Sequence, residues 1–399
     1  MNKLDKAIIL LYFSLTFFEP YLNIWFGSLL KYYLIVMILH FWLRFKEKRN
    51  TLGYYFVLWF IYQMFTLFWT EDYYAFNDFF LGEALVILLL LTVFSIRMEK
   101  AFLNQILITV CLSSAIMSSL SLFFEGGYLI EDNARRVFIL WGAEIDPNNQ
   151  AAFSLFSYVI SLYAINKVKT KWKIVLILFA VVSLISILNT ASRGAFISLI
   201  VSSSLLLLNT LHDTGIQKKA TTYIMTIIAI LTIAYIVTNA SLYINEQAYE
   251  RVFQEDYGDG SKRSFIWQNV YNIFSSSILY IIFGMGWGTA NIYTGETYGS
   301  YYSLHNTHFA ILTNTGIIGF LLFYYPLYKV IKSLYSKRLF FPIILFLSQF
   351  IVAFFLECIN KRFFWNAIYI IFIADTLQCV EEGKNDIQTE NKTLEQSNM

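Results

Sequence analysis

The chain has 399 residues, of which 57% are hydrophobic, 19% aromatic and only 14% charged, with a mean hydropathy of +0.56. Soluble domains average about 25% charged residues, so this composition excludes a water-soluble enzyme, a disordered chain and a disulfide-stapled scaffold. The net charge of +2, from 29 Lys and Arg against 27 Asp and Glu, leaves no electrostatic footprint for nucleic acid.

What remains is an all-α polytopic integral membrane protein. A crossing helix needs about 20 mostly apolar residues, and the chain offers about twelve such runs. They lie near 7–26, 28–43, 52–69, 79–96, 102–124, 149–166, 173–190, 194–211, 221–243, 304–328, 339–357 and 363–380. The first run contains Glu19-Pro20 and no small-residue cleavage site, so it reads as a retained helix rather than a removed signal peptide.

Lys and Arg collect in alternate connections, around Lys3 and Lys6, Arg44 to Arg49, Arg97 and Lys100, Lys167 to Lys173, Lys218 and Lys219, Lys329 to Arg338, and Lys384 and Lys392. By the enrichment of these residues in cytoplasmic loops, both termini are expected in the cytoplasm. The chain then reads as one transmembrane domain over 1–380 with a polar, disordered cytoplasmic tail over 381–399.

Two segments on the opposite face, 125–148 and 244–303, exceed simple connectors, and loops of that length are usually functional or disordered. Their Trp, Tyr and short apolar stretches argue against disorder. Within the second, Ser277 to Phe283 is too short to span and reads as re-entrant or interfacial, ended by Gly284-Met285-Gly286-Trp287-Gly288.

Candidate chemistry gathers on that outer face. Arg193 occupies the tight turn between the seventh and eighth runs, where it is either a snorkelling anchor or a clamp whose guanidinium fork fits phosphate oxygens. Lys262 and Arg263 follow a glycine-rich turn and open a helix whose backbone donors favour anions. Glu255, Asp256 and Asp259 offer the same two bases a salt bridge instead. At the entrance to the tenth run, His305 and His308 share a helical face, and a neutral imidazole suits a general base taking a proton from a sugar hydroxyl.

Asp146-Pro147-Asn148-Asn149 makes a good helix start, with carbohydrate contact by Asn148 or Asn149 as the alternative to capping. The three cysteines, Cys111, Cys358 and Cys379, show neither pairing nor ligand spacing, so no disulfide framework, metal or cofactor is expected. No Walker loop, GxSxG elbow or dinucleotide fingerprint occurs.

Together these residues resemble the O-antigen ligase and polymerase superfamily of bacterial envelope glycosyltransferases. The likeness rests on Ser192-Arg193-Gly194-Ala195, on Lys262-Arg263 with Trp267 and the glycine turn 284–288, on His305-Asn306 followed by Gly316-Ile317-Ile318-Gly319, and on Asp146-Pro147-Asn148. It is strongest from about residue 146 to 330.

The resemblance implies an inverting, metal-independent transfer of a glycan from a polyprenyl diphosphate carrier at the outer face of the cytoplasmic membrane. It implies Arg193 and Arg263 on the departing diphosphate, with Lys262, Arg135 and Arg136 as helpers. It gives His305 the acceptor hydroxyl, and Asn306, His308, Asn148 and Trp267 substrate contacts.

A polymerase extending one lipid-linked repeat with another, in O-antigen, capsule or exopolysaccharide synthesis, fits the modest outer loop. A ligase to lipid A-core is the first alternative. A lipid-linked oligosaccharide flippase is the second, disfavoured because no repeat of the two halves is evident. Expected partners are the lipid-linked donor, a glycan or lipid-linked acceptor, membrane lipids, a chain-length regulator and a flippase.

Overall fold

The computed structural model describes residues 1–45, 51–123, 126–128, 136–140, 142–213, 263–298 and 303–377. The expected ninth span, the first part of the second outer segment and the tail 381–399 lie outside them, as do Arg135, Lys262 and Cys379.

The described chain is almost wholly helical. Helices α1 (Lys3–Phe26), α2 (Leu29–Arg44), α3 (Tyr54–Thr66), α4 (Tyr73–Leu89) and α5 (Lys100–Phe123) precede a small sheet. After it come α6 (Pro147–Ala164), α7 (Thr170–Asn189), α8 (Arg193–Asp213), α9 (Arg263–Ser275), α10 (Ile278–Phe283), α11 (Thr289–Tyr298), α12 (Thr307–Ser336), α13 (Phe340–Val352) and α14 (362–377).

Five of these helices, α1, α5, α7, α8 and α12, are long and apolar enough to cross a membrane. Their outward faces carry large apolar side chains, such as Ile174, Leu178 and Val181 of α7, that water would not tolerate in such number. The chain is a membrane protein.

Neighbouring helices run antiparallel through short turns. Gly27, at φ +58, reverses the chain between α1 and α2, and the Tyr33 hydroxyl donates to the Ile8 carbonyl at 2.6 Å while His40 meets Asp5 at 2.9 Å. One end of the bundle gathers ion pairs: Asp5 with Arg44, Lys6 with Glu99, and Lys337 with Asp375. The other end carries the turns described below.

α14 is the central element. From Ala367 to Ala374 every residue is fully buried, as expected of a helix apolar on all sides. At its start, the nearly buried Arg362 pairs with Glu19 of α1.

Lipid tails give helices no reason to hide apolar surface from one another, so close packing and polar contacts must join them. The α5–α6–α7 seam shows both. Ser118 donates to Ser154 at 2.9 Å, Ser121 meets Ser186 at 2.8 Å, and Ser114 donates to the Phe153 carbonyl at 2.6 Å. Such bonds contribute about 0.6 kcal/mol each on average.

The outer segment 125–148, expected to be more than a simple connector, contains a three-stranded antiparallel sheet, β1 (Gly126–Tyr128), β2 (Arg136–Leu140) and β3 (Ala143–Ile145). Gly126 pairs with Phe138, and Phe138 with Ile145. The run expected at 339–357 also differs. Its helix ends at Val352, and 353–361 turns back instead. At about 1.5 Å per residue, the 13 residues of α13 fall short of a full crossing.

The short apolar element Ser277 to Phe283 is the six-residue α10, halted by Gly284 at φ +85. Opposite it, α12 breaks at Gly316, φ +62. A break of this kind strips carbonyls of their helical donors. The N–H groups of Met285 and Gly286 supply replacements, donating to Thr313 at 2.8 Å and Asn314 at 3.1 Å. A Cβ at Gly316 would lie 2.4 Å from the Ile282 carbonyl oxygen, so glycine is required where the two backbones cross.

Candidate active site

The end of the bundle opposite the Asp5, Lys6 and Lys337 pairs holds the sequence motifs. Asp146 caps α6, accepting from the N–H groups of Asn148 at 2.8 Å and Asn149 at 3.2 Å. Asn148 is buried and accepts from the Ser192 hydroxyl at 2.9 Å. That bond ties the α6 start to the α7–α8 turn, where Ala191 takes φ +48 and exposed Arg193 opens α8.

Gly194 faces the 353–361 segment. An added Cβ would stand 2.6 Å from the Cβ, Cγ and Cδ2 of Phe355, so the α8 start and this segment touch directly.

The same segment grips the start of α12. The Thr307 N–H donates to the Ala353 carbonyl at 2.8 Å, its hydroxyl donates to the Leu356 carbonyl at 2.7 Å, and the Thr307 Oγ1 accepts from the Cys358 N–H at 2.7 Å. Just before Thr307, half-buried His305 sits at φ +49, and its N–H faces the Ser303 hydroxyl at 3.3 Å. Ser303 in turn donates to the carboxylate of Glu357.

Burial pushes the Glu357 carboxyl up. The Ser303 hydroxyl, the Lys361 charge and a backbone bond from Leu304 pull the other way. Burial also pushes the Cys358 thiol up, which leaves it protonated and without nucleophilic character.

Asn306 and His308 have intramolecular duties. The Asn306 side chain caps α12 by accepting from the Phe309 N–H at 3.0 Å. His308 is buried, with Nδ1 on the Tyr324 hydroxyl, Nε2 on the Phe350 carbonyl at 3.1 Å, and its ring against those of Phe350 and Phe354. The expected pairing of both histidines on one helical face therefore resolves differently. His305 precedes the helix, while His308 packs within it.

Arg263 opens α9. One turn on, Trp267 donates from Nε1 to the Leu304 carbonyl at 2.8 Å, and Ile266, Val270 and Phe274 pack with Leu304, Met285 and Ala310. Residues four apart lie on the same helix face, so Arg263 shares the face of α9 that meets the residue next to His305. Arg193, Arg263 and His305 are thus tied to one frame built on Ser303–Thr307 and 353–361. Arg136 is described only as a β2 position.

The amino-terminal third, which contributed no motif, holds the glycine turn. Trp69 Nε1 donates to the Gly284 carbonyl at 3.2 Å, the Thr70 hydroxyl to the Trp287 carbonyl at 2.6 Å, and Thr289 accepts from the Glu71 N–H at 3.1 Å. The Tyr293 hydroxyl reaches Glu71 at 3.1 Å, and its phenol is pushed up to about 12 by burial and that carboxylate. Among the described residues, no three His, Cys, Asp or Glu side chains stand close enough to hold a metal ion.

Residues 177–324, from α7 to the middle of α12, match the family model described as O-antigen ligase. Through this segment the chain is similar to the O-antigen ligase family. The matched stretch contains Arg193, Arg263, His305 and the glycine turn, whereas the Asp146 cap and the 353–361 segment that brace them lie outside it. No curated protein matches the chain. This similarity and the apolar helices support a membrane glycosyltransferase-like protein of the O-antigen ligase and polymerase type. Sequence reasoning missed Ser303 and Glu357. The available signal was an acidic residue at the end of an apolar run, where charge is expensive and usually has a purpose.

Proposed function

We propose that the protein polymerises polyprenyl-diphosphate-linked oligosaccharide repeats at the outer face of the bacterial cytoplasmic membrane. On this reading both termini are cytoplasmic, and the 244–303 segment forms an outer loop over the site. The supporting observation is the common frame that ties the Arg193 turn, the Arg263 helix and His305 together at one end of the bundle.

The chemistry is a single displacement. The acceptor hydroxyl oxygen attacks the anomeric carbon of the donor sugar and passes its proton to the His305 imidazole. The bond from that carbon to the diphosphate oxygen breaks, and its electron pair leaves with the diphosphate. Arg193 and Arg263, helped by Lys262 and Arg135 or Arg136, meet the charge that grows on the leaving group, where preorganised donors count most. Inversion at the anomeric carbon follows, and no metal takes part. Trp267 and Asn148 border the sugars, while Asn306 and His308 keep the start of α12 in order. A chain-length regulator and a flippase would act alongside.

A ligase that passes the glycan to lipid A-core is the second reading, favoured by the ligase description of the matching family. Both reactions share donor and leaving group, so acceptor dependence separates them. The test is reconstitution of the purified protein in vesicles with its host's polyprenyl-diphosphate-linked repeat, without added metal. A ladder of longer glycans without a second acceptor supports the polymerase. Product formed only on adding lipid A-core supports the ligase, and a donor left intact under both conditions overturns the proposal.

A further inference from the structure

His305 stands at φ +49, a region that side chains with a Cβ seldom occupy. Such conformations persist only where the surroundings over-determine them, and they concentrate at functional sites. Several contacts hold this turn. Trp267 holds the Leu304 carbonyl, the Asn306 side chain caps α12, and the Thr307 N–H is fixed to Ala353. The charged member of the set is Glu357, which takes the Ser303 hydroxyl and a backbone bond from Leu304. Ser303 in turn faces the His305 N–H.

We propose that Glu357 is a positioning residue for His305, its carboxylate fixing the 303–306 turn through the Ser303 hydroxyl and the Leu304 backbone. The inference rests on the reading of His305 as the group that receives the acceptor proton. Hydrogen bonds to a carboxylate are roughly twice as strong as neutral ones, which suits Glu357 to hold a turn against its own strain. Its own segment is anchored independently by Thr307 and by the α8 start at Phe355. Lys361 lies on the same segment, and buried Glu83 of α4 interacts with Glu357 through space. The Lys361 charge attracts the carboxylate, and the Ser303–Leu304 link defines its orientation.

The test compares Glu357→Ala, Glu357→Gln, Ser303→Ala, the Glu357→Ala/Ser303→Ala double variant and His305→Ala. Each is reconstituted with the host's polyprenyl-diphosphate-linked repeat, and kcat and the donor KM are measured. A base displaced by about an ångström loses roughly 10- to 100-fold in rate, so Glu357→Ala and Ser303→Ala are expected to lose kcat in that range with KM nearly unchanged. The double variant is expected to be no slower than Glu357→Ala, because residues acting through one link do not add. Glu357→Gln, whose amide oxygen accepts the same bonds, is expected to recover most of kcat.

Wild-type kcat in Ser303→Ala or Glu357→Ala overturns the inference. So does a loss confined to KM, a multiplicative double variant, or a Glu357→Gln as slow as Glu357→Ala. If Glu357→Ala does not fold, Ser303→Ala and Glu357→Gln decide the matter. Full turnover by His305→Ala refutes the underlying reading, whereas a silent His305→Ala beside an unimpaired Ser303→Ala refutes the positioning role alone.

Discussion

Gly194→Ala tests whether the Arg193 turn works through its contact with the 353–361 segment. The new methyl carbon would lie 2.6 Å from three Phe355 atoms, one of them the Cβ, which cannot swing away. Ordinary carbon contacts are about 3.5 to 4.0 Å, so the α8 start and the segment must part by roughly 1 Å. Overpacking of this kind typically costs about 1 to 3 kcal/mol. Because Arg193 is the adjacent residue, a shift of that size should also cost transfer activity about 100-fold. The assay is glycan transfer by the variant in vesicles, read beside its thermal unfolding in detergent. Adding Phe355→Gly, which removes all three clashing atoms, should restore part of the rate. Gly194→Ala with wild-type activity and stability would refute the argument.

Three further outcomes follow from the same structure. Thr70→Val leaves the buried Trp287 carbonyl without its 2.6 Å donor, and an orphaned buried acceptor costs about 1 to 3 kcal/mol, measurable as a lowered thermal midpoint. Arg362→Met strands Glu19, and breaking a buried pair costs about 3 to 5 kcal/mol, whereas the double variant with Glu19→Leu should recover most of it; denaturant titration of the single and double variants compares them. For Glu357, burial raises the carboxyl above its ordinary value of 4.5, so the folded state binds more protons than the unfolded one and stability falls as pH rises from the ordinary value through the raised one. Glu357→Gln should flatten that decline, and an unchanged pH profile of thermal midpoints would contradict it.

Helices and turns with local causes were legible in the sequence. The α1–α2 reversal follows from Gly27, the α6 start from Asp146-Pro147, and the α7–α8 hairpin from the break at Thr190–Ser192. The sheet at β1–β3 was not, because its strands are three to five residues long and their pairing depends on partners across a turn rather than on a period. The early end of α13 was also hidden. Ala353 to Leu356 continue the apolar run, and what bends them away is Thr307, nearly fifty residues upstream, binding their carbonyls.

The candidate site divides in the same way. Arg193, Arg263 and His305 stood out because charge and imidazole are rare in such a chain. The capping role of Asn306 was readable as an Asn immediately before a helix. The burial of His308 against Tyr324 and Phe350, and the link from Glu357 to Ser303, are tertiary contacts that no local pattern announces.

The measurement that bears most directly on the account is release of free polyprenyl diphosphate by vesicles containing Arg193→Ala, Arg263→Ala or His305→Ala, each first shown to be inserted and folded. The account predicts that all three release no more carrier than empty vesicles while the parent protein consumes the donor. Near-normal release and glycan length in all three variants would contradict it.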